Sequence, residues 1–150
     1  MARSKHSIPT LEDFRSQLRR HNLRVTQQRL SIHEVMMELE HASADAVQQK
    51  LAERGVPVTV STVYNILSGL ADYHIYGRRL SATNKMFFDI DASRHIHLYD
   101  RENHFFRNLV DEELTAMVAA HLRHRKFKGY TVEDIDIQII AKPTRKTKKI

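Results

Sequence analysis

The sequence predicts an α+β fold, an N-terminal winged helix-turn-helix followed by a small α/β dimerisation domain. Three observations predict it. Amphipathic helical periods with polar caps fill the first half of the chain. Two strand-like runs, residues 75–80 and 85–90, then flank the turn Ser81-Ala82-Thr83-Asn84. After Asp91 the pattern becomes strand, strand, helix and strand. The expected boundaries are a flexible basic arm over 1–9, the winged-helix domain over 10–90, the dimerisation domain over 91–141 and a basic tail over 142–150.

Thr10 is placed to cap a first helix, with Glu12 and Asp13 in its first turn and Leu11, Phe14 and Leu18 at helical spacing. Asn22 is its expected stop. Arg19, Arg20, His21 and Arg24 gather near that end. Cations suit a helix C-terminus in any protein; the same cluster suits DNA phosphates or a minor groove. Thr26 caps a second helix over about residues 27–39, with Leu30, Val35, Met36 and Leu39 inward. His41 follows in a short loop. Ser43 caps a third helix to about Arg54, with Val47 and Leu51 inward and Gly55 as its stop. Pro57 biases its neighbour towards an extended conformation.

The fourth helix carries the most informative face. Val63, Ile66, Leu67 and Leu70 form its apolar stripe, and Thr59 or Ser61 caps it. The other face shows Ser61, Thr62, Tyr64, Asn65 and Ser68, uncharged and short-armed, where a solvated face would carry Lys and Glu. Hydroxyls, an amide and a phenol suit base edges, the thymine methyl and phosphate oxygens. The plainer alternative is a polar helix face of chance composition. In the following hairpin, Arg78 and Arg79 make a basic edge, which also protects an edge strand from pairing with other chains. His74 stands where the fourth helix should stop, a place that wants positive φ.

The second domain starts with strands near residues 95–99 and 105–110 and a helix over 112–125 with Leu114, Met117, Val118 and Leu122 on one side. Residues 132–141 alternate, Ile135, Ile137 and Ile139 against Asp134, Asp136 and Gln138, as in a half-buried strand. A unit of about 50 residues is too small to stand alone comfortably, so it is expected to bury its sheet against a second copy.

Composition narrows the function. A net charge of +6 favours a polyanionic partner. There is no cysteine, which excludes disulfides and cysteine-held zinc. No run of about 18 apolar residues exists and the N-terminus lacks an apolar signal core, so a soluble cytoplasmic protein with no membrane partner is expected. Four glycines, no phosphate loop and no nucleophile motif argue against an enzyme. Ten histidines are many for 150 residues. On a strand His95 and His97 face the same way, so both can meet one ion. Asp89 lies six residues before His95, and His41 lies just ahead of the third helix. Imidazoles with a carboxylate suit zinc, iron or manganese, although most His-x-His pairs are incidental. His104, His121 and His124 have weaker claims; His6, His21, His33 and His74 read as structural or surface residues.

In order, Leu23-Arg24-Val25-Thr26-x-x-Arg29, His41-x-Ser43-Ala44-Asp45, Ser61-Thr62-Val63-Tyr64-Asn65-x-Leu67, Phe88-Asp89 and His95-Ile96-His97 resemble the ferric uptake regulator (Fur) family over roughly residues 15–141. The resemblance implies a homodimeric winged-helix transcription regulator, mainly a repressor, of iron and metal homeostasis genes, bound to an inverted-repeat operator in double-stranded DNA. Its sensing site would fall on His41, Asp89, His95 and His97, joining the two domains. Its DNA-contacting residues would be Arg20, Arg24, Thr26, Arg29, Ser61, Thr62, Tyr64, Asn65 and Ser68, with Tyr64 as base reader and Arg20 in the minor groove. The cofactor would be a divalent ion, Fe, Mn or Zn.

Within the family, the spacing of Asn65, Asp89 and His95-x-His97 is similar to the peroxide regulators. The lack of cysteine and the ending Ile-Asp-Ile-Gln-Ile-Ile are similar to the haem-responsive iron response regulators. Asp100 and Asn103 stand at the positions of the family's first Cys-x-x-Cys pair, so its structural zinc has no ligands here. The further carboxylate of the peroxide sensors falls near Asn108, with Asp111 close by. Haem would need His95, His97 or His104. An alternative is a regulator of the same fold that has lost its metal response.

Overall fold

The computed structural model describes residues 8–92 and 96–145. His6, His95, the rest of the arm before Ile8 and the tail after Arg145 lie outside the described residues. The chain divides into two compact units at this second gap.

The first unit holds four helices and a small sheet: α1 (Leu11–Arg20), α2 (Gln27–Leu39), β1 (His41–Ala42), α3 (Ala44–Glu53), α4 (Val60–Asp72), β2 (Gly77–Leu80) and β3 (Met86–Asp89). Each helix starts where a hydroxyl can take an orphan N–H. The hydroxyls of Thr10, Thr26, Ser43 and Thr59 accept from the N–H of Asp13, Arg29, Ala46 and Thr62. At Thr10 the exchange is reciprocal, because the Asp13 carboxylate accepts the Thr10 N–H at 2.9 Å. Those bonds hold the Asp13 carboxyl below its ordinary pKa. Asn22 follows α1 at φ 56° and His74 follows α4 at φ 58°. Phe14, Leu18, Val35, Val47, Val63, Leu67 and Phe88 meet in one core.

The sheet order is β1-β3-β2, all antiparallel. His41 was expected in a loop and instead begins a strand. Ile75 and Tyr76 were expected in the first wing strand. Both lie before it, buried, with their N–H groups donating to Leu70 O at 3.0 and 3.3 Å at the end of α4. α2, α3 and α4, followed by the β2–β3 hairpin as the wing, make the winged helix-turn-helix.

The second unit holds β4 (Ile96–Asp100), β5 (Phe105–Leu109), α5 (Glu112–Arg123) and β6 (Gln138–Ala141). β4 is central, antiparallel to β5 and parallel to β6. Tyr99 and Phe106 are register partners with ring centroids 4.8 Å apart, and with Ile96 they form the buried centre. Residues 132–137, expected as strand, are irregular, and pairing begins only at Gln138, where β4 offers an edge. α5 ends at Arg123 rather than Arg125, with the Arg125 N–H bonded to Leu122 O. α5 buries no residue fully: Met117, expected inward, is 63% exposed.

His33 staples the first unit. It is fully buried and stacked on Phe14 at 4.2 Å. Its Nε2 lies 2.8 Å from Pro9 O, which only accepts, so Nε2 carries the proton and Nδ1 accepts from the Tyr76 hydroxyl at 2.6 Å. Burial lowers the His33 pKa from its ordinary 6.5. As pH falls below that value the unfolded chain takes up the proton first, so stability is lost progressively towards the folded pKa. The thermal midpoint should therefore drop between pH 7 and pH 5, read by circular dichroism. His33→Leu should flatten that drop while costing about 1–3 kcal/mol at pH 7, through the orphaned Tyr76 hydroxyl.

Candidate metal pair and nucleic-acid reading helix

His41 and Asp89 stand opposite each other in the β1–β3 register. Nε2 of His41 lies 3.0 Å from Oδ2 of Asp89, with side chains only 12% and 8% exposed. Oδ1 of Asp89 accepts the Asp91 N–H at 2.9 Å, which fixes the carboxylate plane. His41 is aimed by the residue before it. Glu40 sits at φ 61°, ψ −52°, a γ-turn conformation costly for a residue with a side chain. Its backbone is held at both ends, N–H to Met36 O at 2.7 Å and carbonyl from the Ile90 N–H at 3.0 Å. A nitrogen and a carboxylate oxygen this close, oriented and shielded, fit two ligands of one divalent ion bonding each at about 2.0–2.2 Å.

His97 belongs to the second unit. It is buried in β4, opposite Asn108 in β5 and Gln138 in β6, with Nδ1 3.9 Å from Asp136 Oδ1. The Asp111 carboxylate caps α5 by accepting the Leu114 N–H at 2.9 Å. At the β4–β5 turn, Oδ1 of Asp100 accepts the N–H of Glu102 and Asn103 at 2.9 and 3.0 Å, and Oδ2 accepts the Asn103 side-chain amide at 2.9 Å. The Asn103 amide is the main reason the Asp100 carboxyl stays below its ordinary pKa. Hydrogen bonds thus close this turn without metal. His104, at φ 56°, sets its Nδ1 3.1 Å from the Tyr99 hydroxyl, and His121 and His124 are exposed.

The polar face of α4 divides in two. Ser61, Tyr64 and Asn65 are exposed. Thr62 and Ser68 are half-buried and engaged: Thr59 Oγ1 donates to Thr62 Oγ1 at 2.9 Å, and Arg78 Nη1 donates to Ser68 Oγ at 3.2 Å. Arg20 and Arg24 are exposed, whereas Arg29 turns inward and its Nη1 donates to Arg24 O at 2.7 Å. The Thr26 hydroxyl is spent on its cap, accepting the Arg29 N–H at 3.2 Å. A groove of about 280 Å³ runs between α2 and α4, lined by Gln28, Arg29, Thr62, Asn65 and Tyr73 among others. Sequence reasoning missed the Arg78 fork, for which no local signal exists.

Residues 20–139 match the family model described as "Ferric uptake regulator family". The chain belongs to the ferric uptake regulator family. The Fur protein of Shigella flexneri is 31% identical over 87 residues, 57% of this chain and 59% of that protein. The chain thus spans less than two thirds of this relative's length. The crystal structure of Vibrio cholerae Fur aligns with a TM-score of 0.71 at 22% identity, covering 87% of this chain and 99% of the other. Fur from Pseudomonas aeruginosa, solved with manganese, aligns with a TM-score of 0.70 at 23% identity, covering 87% and 98%. These likenesses show that the Fur fold spans both units. The Fur-family regulators are transcription factors, not enzymes.

A cap role and the DNA contact expected from the sequence can be separated at Thr26. Thr26→Ala should cost about 1 kcal/mol of stability by urea unfolding, as the loss of a helix cap does. Thr26→Ser should restore it. A DNA-affinity loss that Thr26→Ser does not restore would assign the methyl group a contact with DNA.

Proposed function

We propose that this chain is a homodimeric, sequence-specific DNA-binding regulator of metal-homeostasis genes, mainly a repressor, controlled by a divalent ion on His41, Asp89, His95 and His97. The observation that carries this reading is the buried, pre-oriented His41–Asp89 pair in the unit that also presents an uncharged reading face. His95 and His97 enter by their strand spacing, and the manganese of the P. aeruginosa relative supports a divalent ion. When bound, the ion supplies a positive centre that neutralises Asp89. The residues do the rest: Asp91 holds the carboxylate and Glu40 aims the imidazole.

The winged-helix unit reads DNA with Ser61, Tyr64 and Asn65, while Arg20 and Arg24 meet phosphates or a minor groove. The second unit pairs two copies, a role supported by exposed Met117 and by Ile140, 60% exposed at β6. Within the family, the absence of cysteine supports the iron response regulator subgroup and a haem signal. The peroxide reading is weaker, because the extra carboxylate falls on Asn108 or on Asp111, already a helix cap.

The test is operator binding by chelator-stripped protein, with Fe(II), Mn(II), Zn(II) and haem added separately. A divalent ion should tighten binding about tenfold or more, within the usual range of allosteric coupling. Asp89→Ala and His41→Ala should each remove the dependence. Binding identical with and without every ligand would leave DNA recognition standing and defeat the sensing role.

A further inference from the structure

We infer that Arg78 and Phe88 form a clamp that sets the orientation of the reading helix, and that Arg78 is a positioning residue rather than a phosphate contact; this rests on the DNA-reading role proposed above. Tyr64, Ser68 and Asp72 are four residues apart on α4, so they form one stripe along two turns. All three meet the wing. The Tyr64 ring stands edge-on to Phe88 with centroids 5.8 Å apart and planes at 76°. Arg78 uses both ends of its guanidinium, Nη1 to Ser68 Oγ at 3.2 Å and Nη2 to Asp72 Oδ1 at 2.8 Å.

Arg78 and Phe88 are themselves register partners in β2 and β3. Cross-strand partners share a face of the sheet. One rung therefore grips the helix at three successive points. Val63, Leu67 and Leu70 seat one stripe of α4 in the core, and the three contacts along this other stripe take up the roll that remains. Phe88 is fully buried and gives the Tyr64 ring a rigid floor, while Tyr64 keeps 41% of its surface exposed for a base. Asp72 neutralises Arg78, which makes this arginine a poor counter-ion for a phosphate and a good spacer for a helix. The next residue along β3 is Asp89, so strand and helix are joined beside the proposed ligand pair.

The experiment compares wild type, Arg78→Ala, Arg78→Lys and Asp72→Asn on two duplexes, an inverted repeat selected by wild type from random sequence and a scrambled control. Affinity is read across salt concentration, and folding is checked by thermal melts. The clamp predicts that Arg78→Ala loses about tenfold on the selected duplex and nothing on the control, within the range by which coupling residues act. Its salt slope should match wild type. Arg78→Lys, which keeps the charge but not the fork, should behave like Arg78→Ala.

Asp72→Asn gives the sharpest contrast. Removing an acid near DNA tightens binding on electrostatic grounds alone, whereas the clamp predicts weaker binding to the selected duplex. A phosphate role would instead show equal losses on both duplexes and a slope reduced by about 0.9 in Arg78→Ala. That pattern, or tighter selected-duplex binding by Asp72→Asn, overturns the clamp. A wild type that selects no sequence overturns the DNA-reading role itself.

Discussion

The register of β3 between β1 and β2 decides where the first unit keeps its chemistry. Asp89 is paired with His41 and Phe88 with Arg78 because β3 enters the sheet at one position and no other. Side chains alternate faces along a strand, so a slip of one residue would turn Asp89 towards the helices and Phe88 away from them. Both ends of the strand are pinned. At the wing tip the Ser81 N–H donates to Lys85 O at 2.8 Å, the Lys85 N–H returns to Ser81 Oγ at 3.1 Å, and Asn84 takes φ 62°. At the other end the Ile90 N–H reaches Glu40 O. Burial of Phe88, worth about 1.5–3 kcal/mol, adds a penalty for any shift.

The helical half of the fold was legible because its signals are local. A hydroxyl three residues ahead of its N–H partner marks every helix start in the first unit, and Asn22 and His74 mark two of the stops. The strands were harder. β1 has two residues, too few to carry a period, and exists only because β3 offers an edge. Ile75 and Tyr76 carry strand-like side chains, but their N–H groups close the end of α4. The alternation at 132–137 is real in sequence, but only its end reaches β4, where Ile137 O accepts the His97 N–H at 3.0 Å. Around the site, residue types named His41 and Asp89 as ligands, while their contact depends on register, which no single stretch encodes. The Arg78 fork was invisible for the same reason: an arginine on a strand edge reads alike whether it faces solvent or a helix.

The second unit keeps little of its apolar surface to itself. Its buried centre is small, and α5 and β6 leave Met117 and Ile140 outward. Small domains bury a limited share of their surface, and pairing with a second copy, as proposed, would cover what is left. The turn between β4 and β5 is closed differently from a cysteine knuckle: three hydrogen bonds among Asp100, Glu102 and Asn103 do locally what a bound ion would do across two pairs.

Glu40 sets two kinds of selection against each other. Its positive φ would be relaxed in glycine, which adopts such angles without steric cost, so a chain evolving only for thermal robustness would drift towards glycine there. The same exchange would loosen a link that aims His41 at Asp89 and, on the proposed sensing role, blunt the pair's response. On that proposed role, a glutamate held in this conformation trades a little robustness for responsiveness, the exchange expected where strain sits beside a working site.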